Sequence, residues 1–380
     1  MTSKNPLVDM LRNIKKKFRE DKFLKNITKT KHEKNVLLSY TVTPFLSNKN
    51  RHTNSQESKI IAQIFDELGF NVDVIHYTNQ KKINYKRYSL LFGFGEPFEN
   101  SFGKTSLKRI YYATGAHICH QNNAETRRIE DVNTKYGTNI LPKRLVPWNW
   151  SMSTSLSDAI IVIGNNWTRS TYTKYTNTPV YSLNATALTN KSTTCLKRDI
   201  GRTKTCFLWF GSSGLVHKGL DLCLEYFNAN SNLTLHICGP MEDDFKAVFE
   251  KILSKDNIIY HGFVDVKSKK FIDIVSQCSF SILPSCSEGQ ATALLTTMGA
   301  GIIPIATKFC GIDIDTMGYS LSELSVSAID RSVAKILSLD NDTILKLSQK
   351  NQNHIRSLHT IMSFKKTLKN RISRLLNDKN

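Results

Sequence analysis

Nowhere does the chain approach 18 consecutive apolar residues, the length a membrane-crossing helix needs, so no span is expected. Its first residues, MTSKNPLVDMLRNIKKKFRE, lack the apolar core of a secretory leader, and the expected location is the cytoplasm. Paired cysteines are missing as well. The eight cysteines (Cys119, Cys195, Cys206, Cys223, Cys238, Cys278, Cys286 and Cys310) form no CxxC, and several lie in apolar runs. That pattern reads as reduced, buried thiols rather than disulfides. The densest set of metal-ligand types, His117-Ile118-Cys119-His120, has no second half elsewhere, so no metal is expected. No GxxxxGK[ST] occurs, which excludes a Walker-type phosphate loop. Acidic residues are scarce: 32 Asp and Glu face 52 Lys and Arg, for a net charge of +20.

The excess positive charge is concentrated at the ends. Residues 1–34 hold eleven Lys or Arg against four Asp or Glu. Leu7, Leu11, Ile14 and Phe18 recur there at helical steps, with Arg12, Lys15, Lys16 and Arg19 on other faces. Such a helix either packs on its own domain or lies on an anionic membrane surface. Residues 364–376 are also basic and amphipathic. A nucleic-acid-binding protein would interleave basic and aromatic residues on one face, and charge gathered at the termini argues against that partner.

Between the ends, strand and helix patterns alternate. Strands are expected at 35–40, 71–77, 88–92, 109–112 and 158–164, with a helix at 58–68 ended by Gly69. After a polar, aperiodic stretch the alternation restarts, with strands at 206–210, 233–238, 257–260, 280–283 and 302–306. This predicts an α/β fold of two Rossmann-like domains facing across a cleft. The expected divisions are a basic segment 1–34, a first domain 35–185, a linker 186–205, a second domain 206–345, and basic helices 346–380 returning to the first domain. In such sheets ligands sit beyond the carboxyl ends of the strands.

Unusual turns fall at those ends. After the strand 280–283 comes Pro284-Ser285-Cys286-Ser287-Glu288-Gly289-Gln290-Ala291, with a helix expected from Gly289 or Gln290 to Gly299. The first helical turn offers N–H groups and positive dipole to a phosphate, and Gly289 permits close approach. Glu288 beside that seat faces sugar hydroxyls or, more simply, caps the helix. Gly211-Ser212-Ser213-Gly214, followed by His217-Lys218-Gly219, brings small residues and the Lys218 cation against phosphate oxygens, or leaves Lys218 as surface charge. His117, after Gly115-Ala116, reaches the cleft from the opposite wall or is a satisfied structural histidine. Gly239 and Gly262-Phe263-Val264 either line a slot for a base or are ordinary turns.

In order along the chain, Phe210-Gly211…His217-Lys218-Gly219-Leu220-Asp221, Ile237-Cys238-Gly239-Pro240, His261-Gly262-Phe263-Val264, Leu283-Pro284-Ser285…Glu288-Gly289 and Met298-Gly299-Ala300-Gly301 resemble the nucleotide-binding half of GT-B glycosyltransferases. The likeness is to the family 4 (group 1) retaining type. It covers about 205–310, with local likeness at 111–117 and 158–168. It implies a nucleotide-diphosphate-sugar donor in the second domain, an acceptor held by the first, and no essential metal or other cofactor. By resemblance, Lys218 contacts donor phosphates together with the loop Gly211, Ser212 and Ser213. Glu288 and His117 meet the transferred sugar, and the backbone of Gly289, Gln290 and Ala291 holds sugar and β-phosphate. Gly239, Phe263 and Val264 lie at the base. Two positions depart from the family pattern: Thr296 stands where a second glutamate would bind ribose, and Ser213 where an arginine often precedes the lysine.

The expected function is therefore glycosyl transfer to an acceptor hydroxyl in cell-surface glycan or polysaccharide synthesis. The acceptor is a glycan or lipid-linked molecule, met by a cytoplasmic protein at the inner face of a membrane. Rival readings are a nucleotide-sugar epimerase of the same fold and a non-catalytic GT-B subunit, the latter favoured by Thr296 and Ser213.

Overall fold

The computed structural model describes residues 20–377 apart from 47–52, 104–106, 194, 195 and 197. The stripe Leu7, Leu11, Ile14 and Phe18 lies outside them. Two parallel sheets organise the rest. The first has seven strands in the order β1-β3-β2-β4-β5-β6-β7: β1 (Phe23–Leu24), β2 (Lys34–Tyr40), β3 (Phe70–His76), β4 (Leu90–Gly93), β5 (Lys108–Ala113), β6 (Ala159–Ile163) and β7 (Val180–Leu183). Only β1 runs antiparallel, pairing Phe23 with Ile75 and Leu24 with Val74. Part of the segment read as one basic N-terminal unit is thus an edge strand of the first sheet. The second sheet has six strands in the order β10-β9-β8-β11-β12-β13: β8 (Cys206–Phe210), β9 (Thr234–Cys238), β10 (Ile258–Gly262), β11 (Phe280–Leu283), β12 (Ile303–Thr307) and β13 (Tyr319–Leu321). The strands β1, β7 and β13 were not expected from the pattern; runs of two or three residues, as in β1 and β13, carry too little periodicity to stand out.

Central strands read as unbroken apolar runs because helices cover both of their faces. Val36, Leu37 and Leu38 of β2 are all buried, as are Phe207, Leu208 and Trp209 of β8. The helix Thr53–Glu67 turns Ile61, Ile64 and Phe65 toward the first sheet.

The chain end crosses between the sheets. The helix Asn341–Leu358 packs on the helix Thr292–Gly299 of the second domain. The helix Ile361–Asn377 then lies on the helix Thr53–Glu67. Its stripe Phe364, Leu368, Ile372 and Leu375 is buried, while Lys365 and Lys369 both pair with Glu67, at 2.5 and 2.7 Å. Arg371 sits 4.3 Å from the Tyr181 ring. Some of the basic charge at this end therefore faces the protein itself. Within 186–205 the chain is also anchored: the Arg198 guanidinium donates to Val275 O and Ala300 O, and Ile200 is buried. Among the described residues no helix is long and apolar enough to cross a membrane.

Candidate active site

The carboxyl ends of β8 and β11 bring together residues 70 positions apart. Lys218 Nζ, in the turn after β8, donates to Glu288 Oε1, and Ser285 Oγ donates to the same oxygen at 3.1 Å. Both side chains are nearly covered, at 8 % and 10 % exposure. Burial pushes the Glu288 carboxyl up, but the charges of Lys218, Arg144 and His217 outweigh it and hold it at about 2. Glu288 is therefore an ionised hydrogen-bond acceptor, and its partner comes from a different strand end.

His217 fastens this pair to the first domain. It is fully buried, with Nδ1 2.6 Å from Glu125 Oε2 and Nε2 against Ser287 O. Each ring nitrogen therefore faces an oxygen, one from each domain. Glu125 lies on the first domain's helix Ile118–Tyr136, and its other oxygen accepts the N–H groups of Lys143 (2.8 Å) and Arg144 (3.0 Å). Burial raises this carboxyl, yet the His217 bond and those N–H groups leave it below the usual range. A second buried ion pair, Arg128 to Asp221 at 2.5 Å, joins the same helix to the helix Leu220–Ala229.

Gly289 and Gln290 also press against the first domain. A Cβ at Gly289 would stand 2.6 Å from Thr114 O and 2.9 Å from Ile163 O, so no larger residue fits without movement. Gly289 O accepts from Thr168 Oγ1 at 2.8 Å. Gln290 Oε1 accepts from the Ala185 N–H (2.7 Å), while its Nε2 donates to Gly311 O (3.2 Å). Glu288 and Ala291 donate their N–H groups to Phe309 O and Cys310 O, both at 2.9 Å. The helix begins at Thr292, later than Gly289 or Gln290, because these backbone groups bond across to the strand-end loop 308–311. Thr296 is 4 % exposed, and its hydroxyl donates to Thr292 O at 2.8 Å, one turn back in the same helix.

His117 caps the helix Ile118–Tyr136 and is 1 % exposed. Nδ1 accepts from the Cys119 N–H at 3.2 Å, Nε2 lies 3.1 Å from Thr154 Oγ1, and the ring stacks on Tyr175 at 4.4 Å. Burial, aided by His120, pushes it down to about 4, so it is neutral at physiological pH. His120, three residues on, sits among Trp167 and, across the domain boundary, Phe309, with a buried Nε2 that has no hydrogen-bond partner.

The remaining candidates line the β8–β10 ends. Gly211 donates its N–H to Cys238 O (3.0 Å), and Ser212 and Ser213 are exposed. The next N–H groups, of Gly214 and Leu215, donate to Glu242 at 2.5 and 3.4 Å. Gly239 O accepts from the Tyr260 hydroxyl at 3.2 Å. Phe263 is 71 % exposed while Val264 is buried. Glu125, Arg128, Arg144 and Glu242 were not anticipated. Each lies in a helix or loop with no local motif, and only proximity to Lys218, Glu288 or Asp221 marks it. Among the described residues, no group of three His, Cys, Asp or Glu side chains could hold a metal ion.

Residues 201–352, which contain the whole second sheet, match the family described as glycosyl transferases group 1. No curated protein matches the chain. Among solved structures, the sucrose-phosphate synthase of Thermosynechococcus elongatus superposes with a TM-score of 0.65 at 10 % identity, covering 90 % of this chain and 99 % of that one. WaaG, a glycosyltransferase involved in lipopolysaccharide biosynthesis, gives 0.58 at 13 % identity over 89 % and 99 %. A mutant of S. aureus TarM, in complex with fondaparinux, alpha-GlcNAc-glycerol and UDP, gives 0.54 at 11 % identity over 76 % of this chain. The chain spans 55 % of that TarM structure's length. The fold is that of the GT-B glycosyltransferases, and the match to the group 1 glycosyl transferase family covers residues 201–352.

Proposed function

We propose that the protein is a glycosyltransferase of the family 4, retaining type, moving a sugar from a nucleotide diphosphate to an acceptor hydroxyl. The observation that carries this reading is the Lys218–Glu288 pair at the ends of β8 and β11, inside the matched domain and facing the first domain. Loss of a nucleoside diphosphate leaves negative charge on the departing phosphate. Lys218 and the N-terminal N–H groups of the helix Thr292–Gly299 supply the opposite charge there. Glu288, held ionised, accepts hydrogen bonds from sugar hydroxyls and orients the ring. His117, neutral and bonded to Thr154, shapes the first-domain wall rather than moving a proton. The ribose lacks a charged acceptor, since Thr296 bonds within its own helix.

The UDP in the TarM structure makes UDP-sugars the first donors to test. A glycan or lipid-linked acceptor at an anionic membrane surface fits the basic N-terminus. The test is a thermal-shift screen of UDP-, GDP- and ADP-sugars, followed by transfer assays with the product's anomer read by NMR. A stabilising donor is expected, with the donor's configuration kept in the product. Lys218→Ala should lower kcat/KM for that donor about ten- to hundredfold. An unchanged value would remove Lys218 from the site.

A further inference from the structure

Ser213, exposed and uncharged, precedes Gly214 in the loop that leads to Lys218. The space beside Gly214 is filled from the other domain. At φ +85° a Cβ on Gly214 would stand 2.5 Å from Arg144 Cγ and 2.9 Å from Arg144 Cδ. The arm of Arg144 thus lies directly on the phosphate-side loop, against a glycine whose missing side chain makes room for it. Its Nε is buried and has no hydrogen-bond partner. An unbonded guanidinium nitrogen in a covered position is costly, and a ligand with several acceptor oxygens would satisfy it.

The backbone that carries this arm is fixed. Glu125 accepts the N–H of both Lys143 and Arg144, and Gln121 Nε2 donates to Arg144 O at 3.0 Å. The same Glu125 holds His217, next to Lys218. One carboxylate therefore sets the position of Arg144 relative to Lys218 across the domain boundary. The charge of Arg144 reaches Glu288 and helps to keep it ionised.

We propose that Arg144, from the first domain, is a second cation for the donor's diphosphate, in the role that position 213 leaves unfilled. The idea rests on the glycosyltransferase reading above. A guanidinium offers a planar fork to two phosphate oxygens, whereas Lys218 contributes a point charge. Negative groups also face this loop: Glu242 takes the N–H groups of Gly214 and Leu215, and Glu288 takes Lys218. A diphosphate entering between two carboxylates needs more than one cation to balance it. Because Arg144 and Lys218 belong to different domains, the diphosphate would bridge both and draw them together.

The experiment is calorimetry of UDP, GDP and ADP, each beside its monophosphate, with the wild-type protein and Arg144→Met. Methionine keeps an apolar arm against Gly214 and removes the charge, and the Glu125 bonds to the backbone N–H groups persist. The expected result is a diphosphate Kd about tenfold weaker, with monophosphate affinity much less affected and the melting temperature unchanged. Adding Ser213→Arg to Arg144→Met should restore diphosphate binding. Should the methionine variant unfold, Arg144→Gln is read by the same ratio. Wild-type diphosphate affinity in a folded Arg144 variant would overturn the proposal and leave the proposed function standing. A wild-type protein that binds none of the three diphosphates would overturn both.

Discussion

A carboxylate and a lysine buried beside each other, as Glu288 and Lys218 are, set each other's availability. The pair explains a lone glutamate between small residues: its partner lies 70 residues earlier in the chain. Glu288→Gln should therefore lose most turnover, because the sugar loses its charged acceptor. It should bind plain nucleoside diphosphate as well as the wild type or better, because Lys218 is released to the phosphates. Calorimetry showing equal weakening of nucleoside diphosphate and nucleotide-sugar would reject the sugar role. Acid should act through histidines first. Burial pushes His117, His236 and His359 each from 6.5 down to about 4. Between those values the unfolded chain binds protons that the folded chain refuses, so these three histidines cost stability as pH drops from 6.5 toward 4, against a smaller opposite contribution from Glu99, which burial raises to about 8. Below 4.5 Glu288, held at about 2, adds to the loss as the unfolded carboxyl takes up a proton the folded one refuses. Urea midpoints that stay level across the histidine window would contradict this.

At the scale of elements, the turn after β11 joins the two sheets. Gly289 was read as a place for a ligand to approach the backbone, but in the structure Thr114 O and Ile163 O of the first domain occupy that side. Gly289→Ala should cost about 1–3 kcal/mol through overpacking and lower the melting temperature. It should also loosen the domains, seen as faster protease cleavage within 186–205. An unchanged melting curve would show that the loop yields without strain. Long strands and most of the helix Thr53–Glu67, expected at 58–68, were legible from apolar runs and periodicity, but its first five residues were not. The start of the helix at Thr292 was not, since it depends on N–H groups at 288 and 291 reaching carbonyls at 309 and 310.

Over the whole molecule, charge divides by location. Lys365, Lys369 and Arg371 at the C-terminal end face the first domain. Residues 20–26 are tied to the first sheet: β1 pairs with β3, and the Asn26 N–H donates to Asp73 at 2.7 Å. A clean test of membrane attachment therefore removes residues 1–19 and no more. If Arg12, Lys15, Lys16, Lys17 and Arg19 hold the protein to anionic lipid, each adds about 1 kcal/mol, weakened by salt. The truncated protein should then lose co-sedimentation with anionic vesicles and keep its melting temperature. A lower melting temperature with vesicle binding intact would mean that the stripe Leu7, Leu11, Ile14 and Phe18 packs on the protein instead.

What the sequence determined by itself was the alternation of elements, the two parallel sheets, and the set of small-residue turns at their strand ends. These follow from local rules: apolar runs for covered strands, glycine where the backbone must turn, small residues before a helix. Only the tertiary structure decided the partners. Lys218 meets Glu288, His217 meets Glu125, and Arg144 lies on Gly214 because strand ends and loops far apart in sequence converge at the domain boundary. Pairing of that kind depends on distances in space, and the spacing of residues along the chain carries no record of them.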